Sequence, residues 1–200
     1  MQSHVCTIEN GTKDLEAIFT ECEKVAEYNG LTQKQALQLR LICEEIDGML
    51  PKITDDFNGK LWIDFEFGVC KVNVSVNIPM LTANQKGELI AISNDKKNAS
   101  AVGIVGRIRN AIEDYLLNEE QYVNCHNGSS NVFMPSTGFS EGVDYSYLWS
   151  LEQYRVSVEK ENQPEAWDEL EKSIIASVAD NVIVGIKGRQ ADITIVKKFA

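Results

Sequence analysis

The chain has 200 residues, of which 44% are hydrophobic and 24% are charged, and its formal net charge is −11. These proportions are typical of a globular domain and exclude a wholly disordered chain, a collagen or a coiled-coil rod. So acidic a chain disfavours general binding to nucleic acid or to anionic membranes, although it is compatible with a local basic patch. The length fits one domain, or at most two small ones.

The N-terminal residues show no secretory signal, and charged residues interrupt every apolar stretch, so no membrane-spanning segment is predicted. The five cysteines are odd in number and widely spaced, and there are only two histidines. This pattern predicts reduced, mostly buried thiols in a cytoplasmic protein and no metal site. Cys125 and His126 are adjacent, but neighbours in an extended loop point apart, which argues against a catalytic dyad.

The first elements follow from periodicity. Val5–Ile8 alternates as a short strand, and apolar residues spaced three and four apart predict a helix from about residue 15 to Gly30. Thr32 is a capping residue for a second helix that ends or kinks near Pro51. Two alternating segments, 61–67 and 69–78, meet at Gly68 and predict an antiparallel hairpin buried on one side.

The second half is less regular. We expect a short helix over about 83–92, a polar loop over 93–98 and a helix over about 100–117. Residues 118–179 form an unassigned insertion, predicted to contain a long loop, an aromatic strand over 145–158 and an acidic helix from Pro164 to about Ala179. Residues 182–186 and 191–196 predict a closing hairpin. The predicted fold is therefore a single α+β domain over 1–200, a two-layer sandwich with a mostly antiparallel sheet and helices on one face.

This order and several local sequences resemble the Bergerat-fold (GHKL) ATP-binding domains, and most of all the anti-sigma-factor serine kinases. The resemblance lies in the strand and two helices of Val5–Ile53, the helix sequence Leu39–Ile46, the hairpin that follows, the glycine-containing segment 99–108 and the last strand. It implies ATP as the ligand, a protein partner such as a sigma factor or another regulator, and a homodimer as one arrangement.

The resemblance assigns the role of catalytic base to a glutamate on the second helix, which Glu45 fits best and Glu44 next. The alternative is a solvated glutamate pair at a helix edge. The family supplies a magnesium-binding asparagine four residues later, where this chain has Met49 or Gly48. Since neither side chain offers an oxygen ligand, Mg²⁺ binding is doubtful and no metal ligand is assigned.

Adenine recognition by the family uses an aspartate and a glycine-bearing turn after the hairpin. Asn77 occupies the matching place, followed by Pro79 in place of the glycines. Asn77 either accepts a hydrogen bond from adenine or is a polar residue on an exposed strand face.

A basic, glycine-containing segment is the predicted phosphate site. Backbone amides at a glycine-rich helix start can hold anions. The candidate residues are Lys96, Lys97, Ser100, Gly103 and Gly106, with Arg107 and Arg109 extending the basic cluster. The alternative is a solvated loop whose glycines allow close helix packing.

The sequence thus predicts a cytoplasmic regulator with a degenerate nucleotide site. Two alternatives stay open: a protein-interaction module that has lost its nucleotide, or an α+β domain that binds another small anion.

Overall fold

The computed structural model describes residues 1–9, 15–54, 57–78, 103–117, 146–161 and 164–199. The short helix expected over 83–92 and the loop over 93–98 lie outside these residues. The elements within them are β1 (Cys6–Glu9), α1 (Leu15–Tyr28), α2 (Gln33–Ile53), β2 (Asn58–Glu66), β3 (Val69–Asn77), α3 (Gly103–Leu117), β4 (Ser146–Ser150), α4 (Leu151–Glu161), α5 (Pro164–Lys172), α6 (Ile174–Val178), β5 (Asn181–Lys187) and β6 (Gln190–Lys198).

In the described part of the chain the strands form one six-stranded sheet in the order β1-β2-β3-β6-β5-β4, and every neighbouring pair is antiparallel. Alternate residues of β3, including Val72, Val74 and Val76, are buried in a core that also contains the apolar faces of the helices. Their neighbours along the strand, such as Asn73 and Ser75, are less buried. The predicted α+β class, with a mostly antiparallel sheet, is confirmed.

The two N-terminal helices begin and end as their sequences predict. Gly30 adopts φ +64° after α1, a conformation that suits glycine. Thr32 and Gln35 form a capping box, in which each side chain bonds to the other residue's backbone N–H. Pro51 lies inside the last turn of α2, which ends two residues later at Ile53.

Both hairpins are present, and their turns use residues with positive φ. Phe67 and Gly68 join β2 to β3 with φ +49° and +75°, and Gly188 lies between β5 and β6 with φ +58°. Two consecutive positive φ values are the pattern of a type I′ turn, whose twist matches that of the strands it joins.

The strand predicted over 145–158 is wrong beyond Ser150. Residues Leu151–Glu161 form helix α4, in which Leu151, Tyr154 and Val158 are the buried residues. Their spacing of three and four positions is that of a helix. The aromatic residues nearby favour a strand, and this preference led to the wrong prediction.

The helix predicted from Pro164 to Ala179 is divided in two. The Ser173 side chain accepts a hydrogen bond from the Ala176 N–H and begins α6. The Arg155 guanidinium, on α4, donates to the backbone oxygens of Ala176, Ala179 and Asp180. It therefore satisfies carbonyls that the end of α6 leaves without helical partners.

Candidate functional site

Glu45 lies half-buried on α2, between the buried residues Ile42 and Met49, whereas Glu44 is exposed. Of the two glutamates, Glu45 therefore lies closer to the core. It is the better candidate for the base, because a base must lean towards a pocket and not into solvent. Met49 is 2% exposed and is part of the core. A buried thioether is a packing group rather than a ligand for Mg²⁺, which requires oxygen.

The two glycines of the predicted phosphate site both lie on α3. Gly103 is the first residue of that helix and has φ +79°, with no atom within 4 Å of the position a Cβ would occupy. Gly106 is buried one turn later. Helix α3 packs against α2, so the structure places these glycines and Glu45 on neighbouring helices. The other predicted phosphate ligands, Lys96, Lys97 and Ser100, lie outside the described residues.

Asn77 is the last residue of β3 and is exposed. In the sheet register it lies between Asn58 of β2 and Gln190 of β6, at the end of the sheet where the β5–β6 turn is found. The N–H of the following residue, Ile78, donates to the Arg189 carbonyl at 2.8 Å. The backbone around Asn77 is therefore held by the sheet while the side chain faces outward.

The two arginines that follow the glycines are already bound to carboxylates. The Arg107 Nε and Nη2 atoms donate to Glu169 Oε2 at 3.0 and 2.9 Å. Arg109 Nε donates to Glu113 Oε1 at 2.7 Å. These pairs offset the charges that were predicted to extend the phosphate site, and the Arg107 pair joins α3 to α5.

Glu169, on the acidic helix α5, lies in a partly buried cluster. The Tyr154 hydroxyl donates to the same Glu169 Oε2 at 3.1 Å, and the Arg107 Cζ lies 4.3 Å from the centre of the Tyr154 ring. Burial raises the pKa of Tyr154; the bond to Glu169 acts in the same direction, while the Arg107 charge opposes it. The cluster holds a neutral tyrosine against an ion pair. We therefore interpret it as a contact that stabilises the fold.

Four cysteines within the described residues are buried, as predicted, and none of these four forms a disulfide. Cys22 and Cys43 face each other from α1 and α2 with their sulfurs 3.2 Å apart. Burial raises the pKa of Cys70 to about 12, and the hydrogen bond with Cys22 followed by burial raises that of Cys43. Such thiols are poor nucleophiles because the reactive thiolate is scarce. Cys125 and His126 lie outside the described residues.

The described residues contain no group of three or more histidine, cysteine, aspartate or glutamate side chains arranged to hold a metal ion. No described helix has both the length and the apolar character needed to cross a membrane.

A feature that sequence reasoning missed lies at the tip of the first hairpin. Phe67 is 95% exposed there. It borders a cavity of about 670 Å³ whose lining also includes Met1, Phe65, Val69 and Lys71. The turn was predictable from Gly68, but the cavity depends on the N-terminal segment lying along β2, which no local pattern specifies.

No protein-family model matches the chain, and neither a curated protein nor a solved structure matches it significantly.

Proposed function

We propose that the chain is a cytoplasmic regulatory domain with the layout of a Bergerat-type ATPase, similar to anti-sigma-factor kinases, that binds ATP in a degenerate site. The observation that carries the proposal is the order of the elements. Strand β1, helix α1, a longer helix with Glu45, a hairpin, a helix that begins at Gly103 and a closing hairpin occur in the same order as in that family, with β4 and helices α4 to α6 inserted before the closing hairpin. The four buried thiols of the described residues, none of which forms a disulfide, support a reducing compartment.

The position of the ligand follows from the site residues. The adenine would meet Asn77 at the end of β3, and the phosphates would meet Lys96, Lys97, Ser100 and the amides near Gly103. The chain has a net charge of −11, so a pair of lysines that precedes a helix start in the sequence is a local positive charge that would attract an anion. Glu45 would be the base in any phosphoryl transfer. Since Arg107 and Arg109 are paired with carboxylates, phosphate binding would depend on the lysines.

Isothermal titration calorimetry with ATP and with ADP, each with and without Mg²⁺, tests the proposal. We expect binding that persists when Mg²⁺ is chelated, because Met49 and Gly48 provide no metal ligand. Asn77→Ala should weaken ATP and ADP alike, and Lys96→Ala/Lys97→Ala should weaken ATP more than ADP. The double variant Lys34→Ala/Lys160→Ala makes the same charge change at exposed positions on α2 and α4 and should leave binding unchanged.

A second function, a protein-interaction module without nucleotide, is favoured by a different observation. Met49 is packed into the core at the place of the magnesium ligand, and both arginines of the predicted basic cluster are committed to carboxylates. In that case the domain would act by binding a protein regulator, sigma-factor-like or other. Calorimetry that detects no heat at millimolar ATP would reject nucleotide binding and leave this second function.

A further inference from the structure

Two buried thiols face each other between the first two helices. Cys22 of α1 is 2% exposed and Cys43 of α2 is 0% exposed, and their sulfurs lie 3.2 Å apart. A disulfide has a sulfur–sulfur distance of about 2.0 Å, so the two atoms are about 1 Å from bonding distance. The folded chain therefore holds two thiols close to the geometry of a bond between them.

Contacts at the surface hold α1 against α2 at the level of these thiols. Arg40 precedes Cys43 by one helical turn, and its guanidinium carbon lies 4.2 Å from the centre of the Phe19 ring on α1. The Arg40 Nη1 atom also lies 3.7 Å from the carboxylate of Glu23, the residue after Cys22. Because the two helices are already held together here, a bond between the sulfurs would order little that is not ordered before it forms.

We propose that Cys22 and Cys43 are a redox-sensitive pair, which hydrogen peroxide converts to a disulfide that braces α1 against α2 and which a thiol reductant restores. One thiol is first oxidised to a sulfenic acid as the O–O bond of the peroxide breaks and one water leaves. The second sulfur then displaces the sulfenic hydroxyl, which leaves as water with the second thiol's proton. In all, the two thiols lose two protons and two electrons, and the peroxide is reduced to two molecules of water.

Burial makes this reaction slow. The thiolate is the reactive form, and the hydrogen bond with Cys22, followed by burial, raises the pKa of Cys43. Peroxide therefore reaches the pair when the contact between α1 and α2 opens locally. In a reducing compartment the pair rests as thiols, as redox-sensing cysteines do. The proposal does not depend on nucleotide binding.

Peptide mapping of the full chain after oxidation by hydrogen peroxide tests the pairing. Free thiols are blocked and the chain is digested with trypsin without reduction, which places each of the five cysteines on a separate peptide. We expect peptide 14–24, with Cys22, to be linked to peptide 41–52, with Cys43, and dithiothreitol to separate them. Any other outcome, whether unreacted thiols, a different linked pair or sulfinic acid without a link, would overturn the proposal.

The melting temperature tests whether the bond braces the native packing. A disulfide that closes the loop of residues 22–43 restricts the unfolded chain, so oxidation should raise the melting temperature by about 3–10 °C. The reductant should reverse the rise. A linked chain whose melting temperature is unchanged or lower would contradict the brace, because the bond would then strain the packing of the helices.

Three alanine variants assign the effect to the pair. Cys22→Ala and Cys43→Ala should each abolish both the link and the rise in melting temperature. Cys70→Ala is the matched control, since it removes another thiol that is 0% exposed in the same core and should leave both results unchanged. A rise on oxidation that persists in Cys43→Ala would show that the stabilising bond lies elsewhere. The peptide map of the wild-type chain holds whether or not a variant folds.

Discussion

At the scale of single residues, two glycines illustrate how surroundings decide which substitution the fold accepts. A Cβ at Gly59, on β2, would overlap the Ser75 oxygen and lie 2.6 Å from Val76 Cγ1. A Cβ at Gly48, on α2, would meet no atom within 4 Å. The neighbouring strand β3 therefore requires glycine at position 59, whereas position 48 can take a side chain.

The substitution Gly59→Ala should lower the free energy of unfolding by about 1–3 kcal/mol, because β2 must move away from β3 to relieve the overlap. Gly48→Ala, the matched control, should raise it by up to about 1 kcal/mol, since alanine has the better helix propensity. Urea denaturation followed by circular dichroism measures both. Equal effects of the two variants would contradict the packing described at β2.

Glu21 is the residue whose charge makes stability depend on pH. Its side chain is 9% exposed and accepts hydrogen bonds from Lys24 Nζ and from the His4 N–H. The bond from Lys24, opposed by burial and helped by His4, lowers the pKa of Glu21 from 4.5 to about 2. A depressed carboxyl pKa stabilises the fold above the unfolded value, and that stabilisation is lost as the pH falls from 4.5 towards 2.

The variant Glu21→Gln tests this contribution. Because Lys24 and His4 are largely exposed and water screens them, we expect the variant to be less stable than the wild type by about 1–2 kcal/mol at pH 6. The difference should shrink as the pH is lowered from 4.5 to 2.5, as measured by urea denaturation at each pH. A difference that stays constant over this interval would mean that the Glu21 charge is not its cause.

At the scale of elements, the sequence predicts those whose burial follows one simple period. The strands β2 and β3 alternate strictly, and α2 repeats its apolar residues every three or four positions, so both types were predicted. Residues 151–158 were predicted incorrectly because a strand and a helix follow each other directly at Ser150. The aromatic residues there favour a strand, and tertiary packing decides the outcome.

The candidate site was predictable only where a single element carries it. The position of Glu45 on α2 follows from the period of that helix. The pairing of Arg107 with Glu169 does not, because the two residues are 62 positions apart and lie on helices that meet only in the folded chain. Charge patterns along a sequence show which residues are ionised but not which opposite charge each will meet.

A double-mutant cycle at Arg107 and Glu169 should show that this pair couples α3 to α5. We expect a coupling of about 1–3 kcal/mol in the free energy of unfolding, since both side chains are partly buried and two nitrogens of Arg107 share one oxygen. The exposed pair Lys172 and Asp168 within α5 is the control and should couple by less than about 0.5 kcal/mol. A coupling at Arg107 no larger than that of the control would show that α5 is held by apolar contacts alone.

At the scale of the whole molecule, one continuous core joins the two parts of the sequence that differ most in regularity. The buried cluster includes Ile46 of α2 and Val74 of β3, and it also includes Leu151 of α4 and Leu170 of α5. Residues from the insertion predicted over 118–179 therefore share a core with the N-terminal half. A shared core makes partial unfolding costly, because opening one part exposes apolar surface of the other.

We therefore expect the chain to unfold as one cooperative unit, and its tryptophans report on different parts of it: Trp62 on β2, Trp149 on β4 and Trp167 on α5. Three variants, each with two tryptophans replaced by phenylalanine, leave one reporter apiece. In each variant the urea midpoint from fluorescence should coincide with the midpoint from circular dichroism, and this comparison within a variant cancels any change in its overall stability. A midpoint for Trp149 or Trp167 below that of circular dichroism would show that the segment from β4 to α6 opens separately, and the single-domain prediction would then be wrong.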